Sequence, residues 1–73
     1  MQRYKNLGGN SGISAYEIGE DRIRVQFTDG TIYLYTYSSA GSANIEKMKA
    51  LAIIGRGLNT FINKTVKEKY VRL

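Results

Sequence analysis

The stretch RIRVQFTDGTIYLYTY, residues 22–37, decides the fold. From Arg22 to Thr28 apolar and polar side chains alternate. Ile23, Val25 and Phe27 fall on one face and Arg22, Arg24 and Gln26 on the other, the period-two signature of a half-buried strand. Asp29-Gly30 is a hairpin signal, because both residues tolerate positive φ. From Thr31 to Tyr37 the chain resumes as a second strand rich in β-branched and aromatic residues.

That second strand is apolar on both faces, with Ile32 and Leu34 on one and Tyr33, Tyr35 and Tyr37 on the other. The turn decides which face joins the core. A two-residue loop at Asp29-Gly30 pairs Phe27 near Ile32 and Val25 near Leu34, leaving the tyrosines beside Arg22, Arg24 and Gln26. A three-residue loop with a glycine bulge shifts the pairing by one. The tyrosines then join Val25 and Phe27, while Ile32 and Leu34 turn outward. Both registers are open to this sequence, and either leaves an apolar or aromatic patch opposite whatever covers the core.

Towards the N-terminus, Ile13 to Ile18 reads as a further short strand that ends at the Gly19-Glu20-Asp21 turn. Residues 1–12, with Gly8, Gly9, Asn10, Ser11 and Gly12, read as a flexible arm. Towards the C-terminus, Ser38 to Ser42 is a small-residue loop in which Ser42 is positioned to cap a helix. Ile45, Met48, Leu51 and Ala52 form that helix's apolar stripe. Gly55-Arg56-Gly57 breaks it, and a second helix starts near Leu58, carrying Phe61, Ile62 and either Val66 or Thr65 inward with Lys64, Lys67 and Lys69 outward. The tail Tyr70 to Leu73 is positioned to dock back as an extended end. The expected architecture is α+β. A small three-stranded antiparallel sheet is followed by two short helices packed on one face, and residues 13–73 form a single domain.

The 73 residues include no cysteine and no histidine. A chain this short buries only about 60% of the surface it exposes when unfolded, and disulfide or metal staples are not open to it. Self-association is the remaining aid, so a homo-oligomer is expected. The same two absences remove serine–histidine and cysteine–histidine nucleophile systems and zinc ligand sets, so no catalytic residue, metal or cofactor is assigned. No apolar run is long enough for a membrane span or a secretion signal, and the expected setting is cytoplasmic.

Charge is divided unevenly along the chain. Residues 1–41 balance four basic against four acidic side chains, whereas residues 42–73 set seven basic side chains against Glu46 and Glu68 and so carry the whole net charge of +5. An anionic partner, RNA or a nucleotide, follows as the expectation. Arg22, Arg24, Tyr33, Tyr35, Arg56, Asn59, Lys64 and Lys67 are the candidate ligand-binding residues. Arginine offers phosphate a two-pronged fork, lysine a point charge and asparagine an orienting amide. The tyrosines read either as ordinary packing or as platforms for base stacking. Gly55-Arg56-Gly57 with Asn59 gathers an arginine and helix-start amides where an anion would be received.

Val25-x-Phe27, Gly30, Tyr33-x-Tyr35, Gly57-x-Asn59, Ile62 and Tyr70, in this order, resemble the KTSC domain, a short module named for its occurrence at the C-terminus of some lysyl-tRNA synthetases. The resemblance runs from Ser11 to Tyr70 and centres on Tyr33-Leu34-Tyr35. The sequence departs from the family pattern in Leu34, where a polar residue is common, and in lacking a proline after the tyrosines. The family's location on a tRNA synthetase implies RNA binding. Three readings of function follow: a non-enzymatic module that binds RNA or another phosphate-bearing ligand, a homo-oligomer that sequesters a nucleotide signal or other small anion, and a protein-interaction adaptor.

Overall fold

A computed structural model describes residues 1–9 and 12–71. Asn10 and Ser11 of the glycine-rich stretch, and Arg72 and Leu73 of the tail, lie outside the described residues. Four strands, β1 (Gln2–Arg3), β2 (Ile13–Ile18), β3 (Arg22–Phe27) and β4 (Ile32–Thr36), form an antiparallel meander in the order β1-β2-β3-β4. The sheet thus has four strands rather than the expected three. The extra strand lies in the segment read as an arm, where a two-residue strand has no period to read. It is secured by Tyr4, which is 4% exposed and donates its N–H to the Ser14 carbonyl at 3.0 Å.

The hairpin between β3 and β4 takes the shifted register. Thr28 to Gly30 make a three-residue loop, with Gly30 at φ +92°, the Gly30 N–H on the Phe27 carbonyl (2.9 Å) and the Phe27 N–H on the Thr31 carbonyl (2.8 Å). Asp29 Oδ1 accepts the Thr31 N–H at 2.9 Å and locks the turn. Val25 therefore pairs with Tyr33, Ile23 with Tyr35, Arg24 with Leu34 and Gln26 with Ile32. In β2 a register shift between Ile13 and Ala15 lets Ile13 and Tyr16, three positions apart, both point inward.

Ile23, Val25, Tyr35, Ile45, Met48, Leu58 and Val66 form the centre of the core. The helices cover this face of the sheet. A single turn, α1 (Tyr37–Ala40), is capped by Thr36, whose hydroxyl accepts the Ser39 N–H while Ser39 Oγ accepts the Thr36 N–H. Ser42 is not the cap of the next helix, α2 (Ser42–Ile54). Gly41 at φ +92° turns the chain into it, and the side-chain cap belongs one turn earlier. α2 directs Ile45, Met48 and Ala52 onto β3 and β4. It ends at Gly55, in the left-handed region at φ +85°. α3 (Leu58–Phe61) runs directly into a π-helical segment, Ile62–Val66. Leu58, Ile62 and Val66 all face the core. No helix among the described residues is long and apolar enough to cross a membrane.

Candidate functional site

The eight candidate residues fall into three places. Tyr33 and Tyr35 lie on the helix-covered side of β4. Tyr35 is 1% exposed. Tyr33 is half-buried, edge-on to Phe27 (centroids 5.6 Å apart) and tilted against Tyr70 at 4.4 Å, while Tyr70 meets Tyr35 edge-on at 6.2 Å. Burial, aided by the neighbouring Tyr33 and Tyr70 hydroxyls, pushes the Tyr35 hydroxyl up to about 12. The ring faces are occupied by protein, so of the two readings offered by the sequence the tyrosines take the packing one. Tyr70, the far member of this cluster, was not legible as a ring partner from local pattern.

Arg22 and Arg24 stand on the opposite, solvent-facing side of the sheet. Arg22 lies against Gly19, where an added Cβ would come within 2.8 Å of its Cγ, so the glycine makes room for the arginine stem. Arg24 Nη1 is 3.8 Å from Glu17 Oε1, both side chains being about half exposed. Arg24 also borders two shallow hollows. One, of about 350 Å³, is lined by Arg24, Ile32, Leu34 and Val71. The other, of about 250 Å³, is lined by Glu17, Ile18, Gly19, Arg22 and Arg24. Val71 arrives there because its N–H donates to the Leu34 carbonyl at 2.7 Å, which docks the tail against the edge of β4.

Arg56, Asn59, Lys64 and Lys67 belong to the helical layer. Arg56 is exposed between Gly55 and Gly57, both at positive φ. The helix start beside it is already partnered: the Leu58 N–H donates to the Tyr4 hydroxyl at 3.4 Å, and the Gly55 carbonyl accepts the Leu7 N–H at 2.7 Å. The N-terminal segment therefore occupies the corner where the sequence suggested an anion. The Asn59 amide lies beside Gly12. Lys64 and Lys67 are exposed.

The two ion pairs among the described residues use Arg24 and Lys49, so neither involves Arg56, Lys64, Lys67 or Lys69. Lys49 belongs to a cluster that sequence reading missed. Its Nζ is 2.8 Å from Glu46 Oε2 and donates to the Glu20 carbonyl at 2.8 Å, and Tyr37 donates its hydroxyl to the same Glu46 oxygen at 2.6 Å. The ammonium and the phenol hold the Glu46 carboxyl below its usual range, and the carboxylate raises the Tyr37 hydroxyl. Tyr37 thus leaves the sheet's tyrosine row and starts α1 instead. No three His, Cys, Asp or Glu side chains converge among the described residues. Comparison with protein-family models, with curated proteins and with solved structures found no match to this chain.

Proposed function

We propose that the protein is a non-enzymatic binding module for a phosphate-bearing ligand, with single-stranded RNA the favoured class, and that it uses the open face of the sheet and the β4 edge. The observation that carries this reading is the Val71–Leu34 hydrogen bond. It brings the end of the basic C-terminal half alongside the sheet face that bears Arg22 and Arg24. Lys67 and Lys69 precede Val71 in this tail, and both are exposed. Phosphates would be held by these four cations. The long, exposed Arg24–Glu17 contact contributes little by itself and is readily exchanged for a two-pronged contact to phosphate. A base or sugar would rest on Ile32, Leu34 and Val71, in place of the tyrosine platform. The resemblance to the KTSC domain agrees with an RNA ligand.

Binding through four cations releases counterions. The logarithm of affinity should therefore fall with the logarithm of salt concentration with a slope of about −3, at roughly 0.7 per phosphate contact on a single strand. Fluorescence anisotropy of a labelled single-stranded RNA, titrated at rising salt, tests this. Arg22→Glu with Arg24→Glu should abolish binding without unfolding the chain. Salt-insensitive binding, or binding unchanged by the double substitution, would refute the proposal.

A second reading, capture of a small anionic ligand such as a nucleotide, is favoured by the hollow of about 350 Å³ at Arg24, Ile32, Leu34 and Val71. That volume falls within the roughly 300–1,000 Å³ of small-molecule sites. If a mononucleotide displaces the RNA at concentrations near its length-equivalent, this reading replaces the polymer.

A further inference from the structure

The open face of the sheet is a grid whose rows run across the strands. Glu17, Arg24 and Leu34 stand opposite one another on β2, β3 and β4, and Ala15, Gln26 and Ile32 form the next row. Rows lie about 6.7 Å apart along a strand, and neighbouring strands about 4.8 Å apart. Glu17 is the one carboxylate carried by the four strands. Its contact with Arg24 is long, at 3.8 Å, and it has no other polar partner among the described residues. When Arg24 turns to a phosphate, this carboxylate is left without a donor. Arg22 is held more firmly, because its stem lies across Gly19 where a Cβ would collide with it.

Cations alone hold RNA and DNA alike, since both are polyanions. Telling them apart takes a group that answers the 2′-hydroxyl, the donor that RNA has and DNA lacks. An ionised carboxylate only accepts hydrogen bonds, and it therefore suits that donor. On the reading of this face as an RNA site, we infer that Glu17 is its specificity-determining residue and accepts a hydrogen bond from the 2′-hydroxyl of a nucleotide whose phosphate lies on Arg22.

The two hollows fit this division of labour. The one of about 250 Å³ framed by Glu17, Gly19, Arg22 and Arg24 is smaller than the roughly 300–1,000 Å³ of whole small-molecule sites, so it suits one part of a ligand. It shares Arg24 with the aliphatic hollow at Ile32, Leu34 and Val71. A phosphate on Arg22 and a base on Leu34 leave the connecting sugar over Arg24, one strand away from Glu17. With DNA in the same place, the carboxylate gains no donor and still repels the phosphate beside it.

Fluorescence anisotropy of the full chain tests this with three labelled single strands of one base sequence: RNA, DNA and 2′-O-methyl RNA, which keeps the sugar but has lost the donor. Circular dichroism verifies folding of each variant. The wild type should prefer RNA to both other strands by roughly fivefold, a small value for a hydrogen bond to a charged group because the site is exposed. Glu17→Ala should raise DNA affinity severalfold and erase the preference. Glu17→Gln, which keeps an acceptor without the charge, should raise affinity for both strands and retain a preference for RNA. A wild type that binds RNA and DNA equally, or a Glu17→Ala chain whose preference is unchanged, would overturn the inference. The RNA reading survives either result as long as binding still requires Arg22 and Arg24. Absence of binding to every strand, or binding indifferent to Arg22→Glu with Arg24→Glu, would overturn that reading and the role of Glu17 with it.

Discussion

The two faces of β3 and β4 are built from the same two strands, yet they differ in almost every physical respect. One face holds Ile23, Val25 and Tyr35, all at 1% exposure or less, under the helices. The other holds Arg22, Arg24, Gln26, Ile32 and Leu34, facing water. The loop from Thr28 to Gly30 separates these outcomes, since one residue fewer would exchange the sides of every β4 residue relative to β3. The comparison teaches that the aromatic row supplies stability, whereas the aliphatic-arginine row is left facing water, which is where the proposed ligand would meet it.

The strongest way to break that contrast is truncation of matched residues on the two faces. Tyr35→Ala should cost about 3–5 kcal/mol, a large share of the total for a domain this size, whereas Ile32→Ala should stay within about 0.5 kcal/mol. Chemical denaturation of both variants measures the difference, and equal losses would mean that the faces are not distinct.

Alkali provides a second probe. The folded-state value for Tyr35 is raised to about 12 from the ordinary value of 10.0. Between these values the unfolded chain has released a proton that the folded chain retains. The stabilising contribution is therefore complete below pH 10 and lost as pH rises through about 12. Thermal unfolding should show a falling melting temperature above pH 10, and Tyr35→Phe should flatten that decline.

A smaller effect is expected at the turn. No heavy atom lies within 4 Å of a Cβ placed on Gly30, so Gly30→Ala meets no clash. Its cost arises from φ +92° alone and should be about 1–2 kcal/mol, read from the denaturation midpoint. Smallest for stability is Arg24→Glu, an exposed position where the change should stay within about 0.5 kcal/mol. That substitution should nonetheless reduce RNA affinity severalfold, which is the sharpest separation of the two roles.

Much of this arrangement was legible in the sequence, but unevenly. The alternation in Arg22 to Phe27 and the doubly apolar Ile32 to Tyr35 placed the hairpin and named both possible registers. Asp29-Gly30 serves either loop length, so the choice rests on non-local packing, in which Tyr70 closes over Tyr33 and Tyr35. β1 escaped notice because two polar residues carry no period, and its anchor is the lone Tyr4. Thr36 was hidden as a cap by the strand pattern that runs through it. Of the candidate residues, the outward positions of Arg22 and Arg24 were legible whichever register held. That the tail docks back was expected from the sequence, but its seat on Leu34 rests on a backbone hydrogen bond, for which side-chain identity gives no signal.

The most direct test follows backbone amide chemical shifts by nuclear magnetic resonance while a short single-stranded RNA is added. Shifts concentrated at Arg22, Arg24, Gln26, Leu34, Lys69 and Val71, and reversed by salt, are the predicted result. Shifts confined to the Gly55–Asn59 corner, or none at all, would contradict binding on the open face of the sheet.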